Sequence, residues 1–122
     1  MPEADITTTV RKVHAATSVL AIKGEVTAFA EEALMSAYQE ATTEAVKTVI
    51  LNFDELAYMN STGIGLLVTL LIRAQRQNQT LLACGLSEHY QRIFQLTRLN
   101  EAISIYPNEE AALAAINHAA SA

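Results

Sequence analysis

The residue whose type and setting could carry chemistry is Ser61, in Met59-Asn60-Ser61-Thr62-Gly63-Ile64-Gly65. An apolar run, Val49-Ile50-Leu51-Asn52-Phe53, precedes this stretch, and a long apolar segment from Leu66 to Ala74 follows it. A β-branched and aromatic run, then a turn with Asn, Ser and Gly, then a helical pattern reads as strand, loop, helix. Asn60 or Ser61 can serve as the N-cap, its side chain accepting a hydrogen bond from an amide two or three residues on. The free N–H groups of that first turn, with the positive end of the helix dipole, favour an anion. A phosphate carried on the Ser61 hydroxyl would sit in such a spot. The plainer alternative is that a Ser beside Asn at a helix start is most often only a cap.

Other groups offer less. The histidines His14, His89 and His118 fall at a hairpin turn, in a first helical turn and near the C-terminal end. None stands at metal-ligand spacing with another His, Cys or carboxylate, so all three are expected to be solvated surface residues. Ser61 does not lie in a G-x-S-x-G elbow. Gly63-x-Gly65 lacks the third glycine and the lysine of phosphate-binding loops, and Gly65 is expected to allow close packing of helix on sheet. Asp54 and Glu55 read as loop acids. Cys84 is the single cysteine. It permits no internal disulfide and no cysteine-based metal site, and within Thr80-Leu81-Leu82-Ala83-Cys84 it reads as a small core residue. No catalytic centre, metal or cofactor is expected.

Composition narrows the class further. A chain of 122 residues suits one domain, 1–122, with one core. With 51% hydrophobic and 17% charged residues, it is not a disordered chain. The net charge of −5 and the lack of a basic patch argue against nucleic-acid binding, which needs Lys and Arg to neutralise phosphates. The opening Met1-Pro2-Glu3-Ala4-Asp5 is acidic and polar, unlike a signal peptide. The apolar run from Gly63 to Ile72 is too short to span a bilayer. A soluble, cytoplasmic protein without direct membrane insertion is expected.

The elements that must position Ser61 follow from periodicity. Residues 6–13 and 18–24 are β-branched and partly alternating, and predict an antiparallel hairpin. Phe29, Ala30, Ala33, Leu34, Ala37, Tyr38 and Ala41 recur at helical spacing, predicting a helix over about 28–43 capped by Thr27. Residues 46–53 are almost continuously apolar, as in a strand covered on both faces. In the helix after Ser61, Ile64, Leu67, Val68, Leu71 and Ala74 are assigned to the sheet. Leu66, Leu70 and Arg73 fall on another side, which either packs under a loop or forms a contact surface for another protein. That helix should end near Asn78, with Arg73 and Arg76 suited to its negative end. A strand over 80–84, a helix capped by Ser87 with apolar Tyr90, Ile93, Phe94 and Leu96, and a strand over 103–106 come next. Asn108 caps a last helix with Leu113, Ala115, Ile116 and Ala119 inward. The order β-β-α-β-α-β-α-β-α predicts an α/β fold whose mixed sheet is mostly parallel with right-handed crossovers.

These segments together resemble the STAS domain, and within it the bacterial anti-sigma factor antagonists. Gly24-Glu25-Val26 is similar to the family's G-E-L at the end of the second strand. Val49 to Phe53, then Leu56 and Met59, resemble its "hhlDl…l…hD" strand and loop. Asn60-Ser61-Thr62-Gly63-Ile64-Gly65 resembles D-S-[ST]-G-[ILV]-[GA], its most specific motif. Leu86-Ser87, Ile93-Phe94, Thr97 and Leu99 follow the third helix, and Asn108 to Leu113 the start of the last. The same order and spacing runs through nearly the whole chain.

The resemblance implies a small switch protein without enzymatic activity. In similar proteins the serine after the motif's Asp, here Ser61, is phosphorylated by an anti-sigma factor that is also a serine kinase and itself binds the ATP. The unphosphorylated antagonist binds that partner, and the sigma factor is released. Thr62 is a second candidate acceptor. Thr27, Asn60, Ser61, Thr62, Gly63, Leu66, Leu70 and Arg73 form the expected partner-binding set. Two positions depart from the family pattern: Asn60 stands where Asp is usual, and Thr27 where Asp often follows G-E-L. Both remove a carboxylate beside the acceptor; Asn60 can still cap, so the loop need not change shape. Two other functions fit the same resemblance. One is a STAS subunit of a larger assembly, either a stress-signalling scaffold or the accessory protein of a lipid-transporting ABC system. The other is a small-molecule or nucleotide sensor. The oligomeric state is not fixed by the sequence.

Overall fold

The structure, a computed structural model, describes residues 5–43 and 45–121, with side chains through Asn117. The acidic opening, Met1 to Ala4, and the side chains of His118 and Ala119 therefore lie outside it. Among the described residues there are six strands: β1 (Ile6–His14), β2 (Thr17–Val26), β3 (Thr48–Asn52), β4 (Leu56–Met59), β5 (Thr80–Cys84) and β6 (Ser104–Tyr106). The α-helices are α1 (Glu31–Ala41), α2 (Ser61–Arg76), α3 (Glu88–Leu96) and α4 (Glu109–Ser121). The sheet order is β1-β2-β3-β5-β6, and β4 pairs with the far end of β2. Among the described residues β1 and β2 pair antiparallel, and the other strand pairings are parallel. This is the α/β architecture expected, with one strand more: β4 lies where the sequence pattern predicts only the loop before Ser61.

Each step from β2 to β3 to β5 to β6 adds a strand on the same side of the last. With right-handed crossovers, that progression puts α1, α2 and α3 on one face. Burial follows the period of two. Leu20 and Ile22 of β2, Val49 and Leu51 of β3, and Leu81 and Ala83 of β5 point to the three-helix face. There they meet Leu34, Tyr38, Leu67, Leu70 and Phe94. Val19, Ile50, Leu82 and Cys84 point to the other face, under Ala112 of α4. The central strands are thus covered on both sides, and Cys84 is the inert core thiol expected. Burial, then the charges of Asp54 and Glu109, push its pKa up to about 12.

Three local features differ from the expectation. The segment after Thr27 opens as a 3₁₀ turn, Ala28–Ala30, before α1 begins at Glu31. Thr27 still caps it, its Oγ1 accepting from the Phe29 amide at 3.4 Å. In α4 the fully buried position is Ala112, with Leu113, Ala115 and Ile116 half-buried. Leu96 closes α3 in solvent rather than in the core. Asn108 and Ser87 cap as predicted: Asn108 Oδ1 accepts from Ala111 N at 2.9 Å, and Ser87 Oγ from Tyr90 N at 3.5 Å.

Candidate functional site

Ser61 is the first residue of α2, and its position is fixed from the C-terminal end of β2. Glu25 and Val26 pair with Tyr58 and Met59 of β4. The Asn60 amide then donates to the Val26 carbonyl at 3.3 Å. From the other side the Met59 amide donates to Tyr90 Oη at 2.9 Å. Gly63 completes the seat: a Cβ there would collide with the Val26 carbonyl and with the Met59 side chain. Close packing of α2 on the sheet therefore depends on Gly63, not on Gly65 as expected. A Cβ on Gly65 would meet nothing within 4 Å.

The capping ambiguity resolves to Asn60. Its Oδ1 accepts from the Gly63 amide at 2.9 Å, and its carbonyl accepts the first intrahelical bond, from Ile64 N, at 2.9 Å. Ser61 and Thr62 are left exposed, with amides that precede that first bond. No acidic residue occupies the first turn of α2, so no side-chain charge there offsets the positive end of its dipole. An anion on the Ser61 hydroxyl would meet that field at the surface.

The faces of α2 differ from the assignment made from its periodicity. Gly63, Leu66, Leu67, Leu70 and Ala74 are its buried residues. Leu66 and Leu70 are 7% and 0% exposed, so they belong to the core and cannot form a contact surface. Val68 is 38% exposed and so is not a sheet contact; Ile64 and Leu71 lie half-buried on the flank of the core. At about 100° per residue, Ser61, Gly65, Val68 and Ile72 share one exposed stripe. Arg73 lies between that stripe and α1: it lines the groove toward α1 with Gln39, Thr42 and Gln77, and a second one with Thr69 and Ile72. It sits near the buried Tyr38, whose hydroxyl burial raises to about 12 against the pull of the Arg73 charge.

The sequence reading therefore missed Val68, Ile72, Phe29 and Tyr58 as surface residues. They are 38%, 45%, 59% and 49% exposed, four large apolar side chains in contact with water. Phe29 belongs to the 3₁₀ turn that packs against α2, and Tyr58 to the strand that leads into it. One signal was available. Gly63, Leu67, Leu70 and Ala74 stand at i, i+4, i+7 and i+11, and the two small residues mark the side that must come closest to the sheet.

A second polar cluster lies on the α4 side of the sheet. Arg11 Nη2 is 2.6 Å from both carboxylate oxygens of Glu109, and Asn52 Nδ2 donates to Glu109 Oε2 at 2.6 Å. Partial burial disfavours the charged Glu109, but the bonds from Arg11 and Asn52 and the Arg11 charge outweigh it and hold the carboxyl below its ordinary pKa. This cluster ties α4 to β1 and β3. Among the described residues no group of His, Cys, Asp and Glu is arranged to hold a metal ion, and no helix is long and apolar enough to cross a membrane.

A motif-bearing helix start set on the end of β2, in a sheet of this order, defines a class, and comparison with known proteins gives the same class. The STAS domain model matches residues 6–112. The anti-sigma-B factor antagonist of Staphylococcus epidermidis is 32% identical over 80 residues, covering 66% of this chain and 70% of that protein. An anti-sigma factor antagonist from Mycobacterium paratuberculosis superposes with a TM-score of 0.79 at 21% identity, over 95% of this chain and 99% of that one. The phosphorylated form of the Bacillus cell fate determinant SpoIIAA gives 0.70 at 24%, over 90% and 99%. The chain belongs to the STAS domain family and, within it, to the anti-sigma factor antagonists.

Proposed function

We propose that this protein binds an anti-sigma factor when Ser61 carries a free hydroxyl, and that phosphorylation of Ser61 ends the binding. The partner is a serine kinase that supplies the ATP, so this chain contributes an acceptor and a docking face rather than catalysis. The observation that carries the reading is the exposed Ser61 hydroxyl at the mouth of α2, at the head of the stripe through Gly65, Val68 and Ile72. A phosphate there adds about −1.5 to −2 charge. The uncompensated helix start tolerates it, so the fold is undisturbed, while an apolar partner surface would have to strip water from a dianion. The switch acts on docking.

Asn60 and Gly63 place the acceptor, Thr27 and Thr62 remain expected partner contacts, and Thr62 is a second candidate acceptor. The docking surface comprises Val68 and Ile72 with Phe29 and Tyr58, and it excludes Leu66 and Leu70. Asn60 in place of Asp keeps the cap and removes a charge beside the phosphate. Phosphopeptide mapping after incubation with the cognate kinase and ATP tests the reading. Modification at Ser61 is expected; an unmodified Ser61 in a sample that otherwise binds the kinase would reject it.

A further inference from the structure

Gly65 stands in the interior of α2, one turn past Ser61, and is exposed. Glycine there weakens a helix, because it loses the most backbone freedom on folding. Nothing among the described residues asks for it. A Cβ would meet no atom within 4 Å, and the glycines with positive φ are Gly24 and Gly85. Gly63, two residues earlier, is the opposite case, pressed onto the Val26 carbonyl. The bare backbone at Gly65 is therefore a feature of the surface rather than of the core.

Its neighbours give that feature a shape. Gly65, Val68, Thr69 and Ile72 stand at i, i+3, i+4 and i+7, the four positions that enclose a hole for one side chain of a facing helix, and all four are exposed. We propose that Gly65 is a fit-determining position of the docking face: the hole it floors receives one large apolar side chain of the anti-sigma factor. This rests on the docking reading above and sets how closely the partner approaches Ser61. The occupant is apolar because Val68 and Ile72 form the rim, and the basic residues Arg73 and Arg76 border only its C-terminal end, beside Thr69 and Ile72. Ser61 lies one turn before Gly65, so a phosphate on it would stand at the edge of the hole. Seating an apolar side chain there would then dehydrate the phosphate, which couples the modification to release.

The test uses the unphosphorylated full chain, its cognate anti-sigma factor, calorimetric titration and thermal unfolding. Gly65→Ala is expected to raise Tm; a fall would show an internal role for the glycine and overturn the proposal. Gly65→Leu and Gly65→Gln are expected to unfold cooperatively at a Tm no lower than the parent, and to bind at least tenfold more weakly. Val68→Glu is the independent arm for the docking face. If Val68→Glu weakens binding while both Gly65 variants bind like the parent, the hole is wrong and the docking face stands. If none of the three weakens binding, the docking reading fails together with the hole.

Discussion

The Tyr90 hydroxyl on α3 accepts a hydrogen bond from the Met59 amide at 2.9 Å, two residues before the proposed acceptor. Met59 and Tyr90 are both buried, so this bond satisfies an N–H that water cannot reach. It joins the third helix to the strand that delivers Ser61.

Tyr90→Phe keeps the ring and removes the acceptor. The orphaned amide should cost about 1–3 kcal/mol of stability, read as a lower midpoint in denaturant with an unchanged slope. Binding of the partner should fall less than stability, since Tyr90 is a buried core residue. An unchanged midpoint would mean the Met59 amide finds another partner.

Gly63→Ala places a methyl against the Val26 carbonyl, which is backbone and cannot rotate away. Overpacking of this kind costs about 1–3 kcal/mol, and α2 must shift from its seat. Both Tm and partner affinity should drop. Gly65→Ala changes the same residue type on the same helix and should raise Tm, so the pair of variants reports which glycine carries the packing.

The Arg11–Glu109–Asn52 cluster predicts an acid-sensitive contribution to stability. The Glu109 carboxyl titrates below its ordinary value in the folded state, against about 4.3 when unfolded. Its contribution is therefore fully present above the unfolded pKa and lost as pH falls through the folded one. Glu109→Gln should lower Tm at pH 7, and the gap to the parent should close as the pH is taken below about 4. A gap that stays constant over that range would remove Glu109 from the pH dependence. Arg11 and Glu109 are partly exposed, so added salt should also narrow the gap.

Much of this fold could be read from the chain because burial and period agreed. Thr80 to Cys84 is a strand with the bounds expected, and Thr27, Ser87 and Asn108 cap where their side chains suggested. Asn60 and the exposed Ser61 sit as the motif implied, since a cap is a local feature. What local pattern could not show was orientation. Apolar residues encircle much of α2, so Ile64, Val68 and Leu71 made as good a stripe as Leu66 and Leu70, and only the seat of Gly63 on Val26 decides between them. β4 was missed because it has four residues and pairs only with the end of β2, a contact far off in sequence. The Arg11–Glu109 pair spans 98 residues and leaves no local trace.

The most direct measurement is the affinity of the cognate anti-sigma factor for this protein with Ser61 intact, with Ser61 phosphorylated, and as Ser61→Asp. The account predicts that the phosphorylated form binds at least tenfold more weakly than the unmodified one, with Ser61→Asp in between and the circular dichroism spectrum and Tm nearly unchanged. Equal affinity of the phosphorylated and unmodified forms, or a loss of binding accompanied by loss of fold, would contradict it.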